Sequence, residues 1–93
     1  MIVGVAEITI YVPWVHSLKE KRRIIKSICA KIRNKFNVSI AEVDEQDVHQ
    51  TIVLGMSFVC STTVHCDSSI DNAIKFIESN TEGEVIRIIR GVN

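Results

Sequence analysis

Two spacings of apolar residues alternate along the chain, and their order constrains the possible folds more than any other feature. Residues Ile2–Val12 are rich in valine and isoleucine, and polar and apolar side chains alternate from Glu7 to Val12, which predicts a β-strand. Pro13 ends that strand because it lacks the amide hydrogen that a ladder requires. Apolar residues then recur at helical spacing, and Ser17 and Glu20 have the separation of a capping box. The chain therefore begins with a strand and a helix over roughly residues 18–36.

The second half of the chain repeats strand and helix signals without a linker. Val38–Val43 and Thr51–Cys60 are predicted strands, joined by a polar turn at Asp44–Asp47 that is short enough to make them antiparallel. A second helix is predicted to begin near Thr62 or Thr63 and to end before Gly83. Glu84–Arg90 alternates again as a fourth strand.

The resulting order is βαββαβ within one domain that covers residues 1–93. Right-handed crossovers would place both helices on one face of a four-stranded antiparallel sheet. The predicted fold class is therefore α+β, the ferredoxin-like plait.

Composition excludes several classes of protein. With 46% hydrophobic and 24% charged residues in 93, the chain matches a globular domain and not a disordered one. Three cysteines without a C-x-x-C motif argue against a disulfide framework and favour a reducing compartment. The longest apolar run, Ile52–Cys60, is about half the length of a membrane span, and the first residues lack the basic start of a secretory signal. We expect a cytoplasmic protein with no membrane partner and no cofactor.

The net charge of zero conceals a strong segregation of charge. Between Lys19 and Lys35 there are eight basic residues and one acid, Glu20, which gives this window a charge of +7 and leaves −7 for the rest of the chain. At 100° per residue, five of the cations share one flank of the predicted helix, within about 100° of arc. Such a stripe suits the phosphates of a nucleic acid, whereas the plainer alternative is a solvated face. The predicted phosphate contacts are Lys19, Arg22, Arg23, Lys26 and Arg33.

The face of the sheet away from the helices is predicted to be unusually apolar. Alternation directs Ile86 and Ile88 toward the helices and Val85 outward, together with many other aliphatic residues. An exposed apolar patch of this extent usually has a partner, and homodimerisation through the sheet is the plainest explanation, with another protein second. Base stacking on the sheet is disfavoured because Tyr11 is the one aromatic residue there. The predicted interface residues are Val3, Val5, Val43, Val53, Val59 and Ile89.

Three further groups of residues invite a chemical role, and each has a simpler interpretation. The acidic stretch Glu42–Asp47, with His49 beside it, could hold a divalent ion, but its spacing matches no defined loop and favours a solvated hairpin turn. The Pro13–Ser17 loop has neither glycine nor arginine for a phosphoryl group, so we interpret Trp14 as a packed anchor and His16 as solvent-facing.

His65 and two of the cysteines do not form a zinc motif. Cys29 and Cys60 are predicted core residues, while Cys66, in the first turn of a helix, could have a lowered thiol pKa.

Two stretches of the sequence resemble a known family. Ser17–Ser27, SLKEKRRIIKS, and Lys35–Asp44, KFNVSIAEVD, are similar to the signature of the YlxP-like family, also called domain of unknown function 503, and the similarity extends nearly end to end. The resemblance implies a ferredoxin-like fold in a bacterial cytosol, and the family's genes often lie near those for ribosome maturation and translation factors. The family has no established catalytic residues. Its pattern often has histidine where this chain has Glu45, which weakens the metal interpretation of the turn.

Together these features predict a non-catalytic binding protein that contacts RNA or a ribosomal subunit through its first helix. The alternative is a protein-interaction or regulatory module that acts as a homodimer without nucleic acid. An enzyme is the least favoured class, because no catalytic triad, paired carboxylates or phosphate loop can be recognised.

Overall fold

The computed structural model describes residues 1–92 and contains six elements in the predicted order. The strands are β1 (Ile2–Tyr11), β2 (Ser39–Asp44), β3 (Thr51–Cys60) and β4 (Glu84–Val92), and the helices are α1 (Leu18–Lys35) and α2 (Thr63–Asn80). The boundaries differ from the predicted ones by one or two residues. The strands form one antiparallel sheet in the order β2-β3-β1-β4, with β2 and β4 at its edges.

Both helices cover the same face of this sheet and share one core with it. The inward side chains of β1 and β3, among them Ile8, Ile10 and Leu54, are fully buried against Ile32 of α1 and Ile70 of α2. The predicted α+β ferredoxin-like plait is confirmed. Neither helix within residues 1–92 combines the length and the apolar character needed to cross a membrane.

Side-chain caps explain where the two helices begin. Ser17 Oγ accepts a hydrogen bond of 3.1 Å from the Glu20 amide, and Thr62 Oγ1 accepts one of 3.1 Å from the His65 amide. Each bond satisfies one of the amides that the first turn of a helix leaves unpaired. Of the two bonds of the predicted capping box, the structure shows the one that the Ser17 hydroxyl accepts.

A β-bulge in β4 changes which of its side chains face the helices. Thr9 of β1 lies opposite Arg87, but the next residue, Ile10, lies opposite Val85, so Ile86 is an extra residue. Val85 consequently packs against the core, whereas Ile86 is 54% exposed. The predicted orientations of Val85 and Ile86 are therefore wrong. Strict alternation assumes a regular ladder, and a bulge reverses it.

A second register shift, in β2, follows Glu42. Glu42 lies opposite Leu54 and Asp44 opposite Val53, which leaves Val43 as the extra residue. Glu42 itself belongs to the regular ladder that begins at Ser39, so it shares the covered face with Ile40 and Leu54, and it is not part of the turn as predicted. Val43 folds over Gly55 on the open face, where a Cβ at Gly55 would lie 2.8 Å from Val43 Cγ1.

Candidate nucleic-acid interface

Helix α1 presents seven cations to solvent. All five predicted phosphate contacts are exposed, and the lysines at positions 31 and 35 are exposed as well. We refer to this set as the exposed cations of α1: Lys19, Arg22, Arg23, Lys26, Lys31, Arg33 and Lys35. They occupy a helix of 18 residues, which is about 27 Å long at 1.5 Å per residue.

The exposed cations of α1 have no acidic partner within residues 1–92. The ion pairs in this part of the chain join Lys21 to Glu42, and Arg90 to Asp67 and Asp71. By contrast, α1 places cations four residues apart in the pairs Lys19–Arg23, Arg22–Lys26 and Lys31–Lys35. Like charges at this spacing destabilise a helix by roughly 0.2–0.5 kcal/mol per pair. Folding alone does not call for such an arrangement.

Two of these cations have contacts within the fold. Arg33 Nη2 donates a hydrogen bond of 2.9 Å to the Ile40 carbonyl oxygen of the edge strand β2, so part of its guanidinium is already engaged. Lys35 Nζ lies 4.7 Å from the centroid of the Phe76 ring on α2, in a cation–π contact. Phe36 meets the same ring edge-on. These contacts orient Arg33 and Lys35 without neutralising them.

Lys21, in contrast, is a structural residue and not part of the surface. Its side chain is 1% exposed, and its ammonium group lies 2.5 Å from the Glu45 carbonyl oxygen, 2.6 Å from the Val48 carbonyl oxygen and 3.0 Å from Glu42 Oε2. Two hydrogen bonds to carbonyl oxygens and an ion pair with Glu42 therefore surround the ammonium group, and together they offset the cost of burying its charge. Lys21 ties α1 to the connection between β2 and β3.

The position of Lys21 on the helix is a sequence signal for this role, which a count of charges does not reveal. On the helical wheel, Lys21 falls at about 300° from Leu18, between Ile28 and Ile32 in the middle of the apolar stripe. A lysine at such a position is expected to be buried together with a partner for its charge, because an unpaired charge in the core is costly. The acid that neutralises it is Glu42 of the same chain, which was predicted to lie in a solvated turn.

The β2–β3 connection is an exposed acidic turn that is stabilised by hydrogen bonds between its own residues. Asp44, Glu45 and Asp47 are exposed, and Glu45 has a positive φ of 54°. Its amide donates to Asp44 Oδ1 at 2.8 Å, and its carbonyl oxygen accepts from the Val48 amide at 3.0 Å. In residues 1–92, no three His, Cys, Asp or Glu side chains come close enough together to hold a metal ion.

The open face of the sheet exposes most of the predicted interface residues. Val59 projects furthest, at 64% exposed, and Val5, Val43 and Ile89 are also exposed, whereas Val3 is half-buried. The inclusion of Val53 is wrong, because its side chain is only 5% exposed. A hollow of about 450 Å³ lies over Gly55, and Glu7 and Ile89 are among the residues that line it. The face thus combines projecting aliphatic side chains with a depression.

Trp14 does not anchor the β1–α1 loop as predicted. Val12 and Val15 are fully buried and perform that role, and the Gln50 side-chain amide donates to the Val15 carbonyl oxygen at 2.5 Å. Trp14 remains 40% exposed beside a cleft of about 230 Å³. His16 is exposed, as predicted.

The cysteines behave as buried thiols. Cys29 is buried and Cys60 is half-buried against the core, which agrees with their predicted positions. Burial raises the pKa of the Cys29 thiol, and burial together with the neighbouring Cys60 thiol raises the pKa of Cys66. The suggestion of a lowered pKa at Cys66 is therefore wrong: removal from water opposes the thiolate more than the helix N-terminus favours it.

Fold and surface together define a class: a small ferredoxin-fold domain with a cationic first helix and an open apolar sheet. Comparison with known proteins agrees with this description. The family model described as protein of unknown function, DUF503, matches residues 3–90, and the chain belongs to this family.

Two individual proteins illustrate the relationship. The uncharacterized protein YlxP of Bacillus subtilis (strain 168) is 38% identical over 82 residues, which cover 88% of this chain and 89% of YlxP. Among solved structures, a de novo designed protein with a ferredoxin fold, determined by solution NMR, aligns with a TM-score of 0.58 over 99% of this chain and 84% of its own. Its sequence identity is 17%, so the likeness concerns the fold alone.

Proposed function

We propose that this protein is a cytosolic, non-catalytic RNA-binding protein that contacts a ribosomal subunit or its precursor through the exposed cations of α1. One observation carries the proposal: these cations lie along a single helix with no acidic partner within residues 1–92. An RNA backbone supplies the missing anions at regular spacing, and it removes the repulsion between neighbouring cations of the helix.

The chemistry of the surface sets what kind of RNA recognition to expect. Arginine and lysine bind phosphate oxygens, and such contacts position a protein without reading the base sequence. Binding through α1 is therefore expected to depend on the shape and charge of the RNA and strongly on salt. Lys21 takes no part, because its ammonium group is buried, hydrogen-bonded to two carbonyl oxygens and paired with Glu42.

The test measures binding to structured small-subunit ribosomal RNA, and to the subunits themselves, between about 50 and 200 mM salt. We expect affinity to fall steeply with salt, and the variant Arg22→Glu/Arg23→Glu/Lys26→Glu to lose retention. The control is Lys75→Glu, which reverses the charge of an exposed cation on α2 and should bind as the wild type does. Thermal unfolding verifies that each variant folds. Retention of RNA by the α1 variant would overturn the proposal.

A second proposal concerns the open face of the sheet, which we assign to contact with a second copy of this chain. An isologous contact needs projections and a depression on the same surface: Val59 projects from this face, and Ile89 lines the hollow over Gly55. Four strands and about ten residues give a face of roughly 19 by 30 Å, which is of the order of the area of a standard interface.

Sedimentation or light scattering tests the dimer. We expect the wild type to be dimeric at micromolar concentration and Val59→Lys to weaken association at least tenfold. The matched control is Val64→Lys, on α2, where the side chain is 81% exposed and far from the open face. A monomeric wild type, or equal effects of the two substitutions, would refute the assignment. A dimer that binds no RNA would instead favour a purely protein-interacting module.

A further inference from the structure

The cleft beside Trp14 has features that the phosphate-binding surface does not use. Val12 and Val15 are buried on either side of Trp14 in the sequence, whereas the indole ring is 40% exposed and lines the cleft. The opposite wall consists of α1, which contributes Ser27 and Lys31, and the end of α2, which contributes Asn80. The cleft, of about 230 Å³, is open to solvent along one side.

This cleft adjoins the cationic surface of α1. Arg23, Ser27 and Lys31 are four residues apart and therefore follow one another along the same side of the helix. Lys31 lines the cleft and Arg23 lies one turn beyond Ser27, so cations flank the cleft along α1.

We infer that the cleft holds an unpaired base of a single-stranded RNA segment, with its flanking phosphates on Arg23 and Lys31. The inference rests on the proposed function and extends it from the backbone to a base. Aromatic side chains beside a cationic track are the usual means by which proteins hold unstacked bases. Among the described residues the open sheet offers one aromatic side chain, Tyr11 at the end of β1, so Trp14 on the helix side is the better placed to stack with a base.

The cleft has an apolar part and a polar part, as the face and the edge of a base require. Ile24 and Ile28 line it together with the indole. Ser27 offers a hydroxyl, and Glu82 offers a carboxylate that accepts hydrogen bonds from the N–H groups of a base edge. A stacked ring with polar edges satisfies both the indole and these groups.

Trp14 is the single tryptophan of the chain, so its fluorescence reports directly on the cleft. The probes are a single-stranded RNA of about 12 nucleotides, an abasic strand with the same phosphates, and the duplex that the RNA forms with its complement. Fluorescence anisotropy of a dye on each probe measures overall binding independently. We expect all three probes to bind, and only the single strand with bases to change the emission of Trp14, with the same midpoint as the anisotropy.

Substitutions separate stacking from charge. Trp14→Ala is expected to weaken binding of the single strand about tenfold while leaving the abasic strand and the duplex unchanged, and Trp14→Phe to retain most of the affinity. Lys31→Ala is expected to weaken all probes, whereas Lys75→Ala on α2 serves as its charge-matched control.

The outcomes distinguish this inference from the proposed function. If RNA binds with a steep salt dependence but the emission of Trp14 is the same with all probes, the base cleft is wrong and backbone binding stands. If no probe binds at the lowest salt concentration, both proposals fail. Equal losses for Trp14→Ala on the single strand and on the abasic strand would likewise refute stacking.

Discussion

Lys21 shows how a single cation in a basic helix can serve the fold and not the surface. Its ammonium group has one carboxylate and two backbone carbonyl oxygens as partners, and water is excluded around it. Seven neighbouring cations have the same charge and lie in solvent. The direction of each side chain from the helix axis, and not the residue type, separates the two roles.

Removing the Lys21 ammonium should be expensive. We expect Lys21→Met to lower the free energy of unfolding by about 3 kcal/mol, because it leaves the Glu42 carboxylate without its ion-pair partner and removes a hydrogen bond from each of two carbonyl oxygens. Glu42→Gln, which keeps an oxygen for Lys21, should cost less. Urea unfolding measures both, with Lys19→Met as the exposed control that should remain within about 0.5 kcal/mol of the wild type. A loss of stability no greater for Lys21→Met than for Lys19→Met would refute the clamp.

The buried thiols are expected to make the free energy of unfolding depend on pH in the alkaline range. Burial raises the pKa of Cys29 and Cys66, so the folded chain holds protons that the unfolded chain releases above the ordinary thiol value of 9.0. The unfolded state then binds fewer protons, and the free energy of unfolding must fall as pH rises through and beyond that value. Well below pH 9.0 both thiols are protonated in the folded and the unfolded chain, and their full contribution to stability is present.

Comparison of variants isolates this contribution from other groups that titrate at high pH. Between about pH 8 and 10 we expect the urea midpoint of the wild type to fall more than that of Cys29→Ala/Cys66→Ala. Both thiols should also react slowly with an alkylating reagent in the native state and rapidly in urea. Parallel midpoints across this range would contradict the assignment.

At the scale of elements, periodicity predicted every strand and helix, because each element has an apolar side that is buried in one core. What it could not predict is the pair of bulges, at Val43 and near Ile86. A bulge depends on how two strands meet, which the sequence of one strand does not contain. The Lys21–Glu42 ion pair was missed for a different reason: alternation places Glu42 on the same side of β2 as Ile40, but its pairing depends on where α1 packs on β2.

The beginning of α1 provides a prediction at this scale. Ser17→Ala removes the acceptor of the Glu20 amide and should lower the free energy of unfolding by about 1 kcal/mol. Ser17→Asp should preserve stability, because aspartate caps as well and its charge favours the helix N-terminus. Circular dichroism during thermal unfolding measures both. Equal destabilisation by the two substitutions would show that the hydroxyl does not cap the helix.

At the scale of the whole molecule, the two proposed surfaces lie on opposite sides. The helices cover one face of the sheet, and the hollow over Gly55 lies on the other. A dimer through the open faces would have four layers, helix, sheet, sheet and helix, with each α1 on the outside. With about 10 Å between packed layers, the two α1 helices would lie roughly 30 Å apart.

The RNA contact and the dimer contact should therefore differ in their dependence on salt. RNA binding through α1 releases counterions and weakens as salt rises, whereas contact between apolar sheets does not depend on opposite charges. We expect a salt concentration at which RNA has dissociated and the dimer remains, and Arg22→Glu/Arg23→Glu/Lys26→Glu should stay dimeric throughout. Light scattering and anisotropy on the same samples measure the two equilibria. Dissociation of the dimer in step with the RNA would show that one surface serves both.

A dimer with outward-facing α1 helices also predicts a dependence on the length of the RNA. An RNA that reaches both helices binds the second one at a high effective concentration, while a short RNA binds one helix at a time. Val59→Lys, as a monomer, should match the wild type on an RNA of about 12 nucleotides and bind a severalfold longer one at least tenfold more weakly. Val64→Lys should match the wild type on both, since it leaves the open face intact. Equal affinity of Val59→Lys and the wild type for the long RNA would mean that the two helices of a dimer do not act together, because avidity is the one property that the monomer loses.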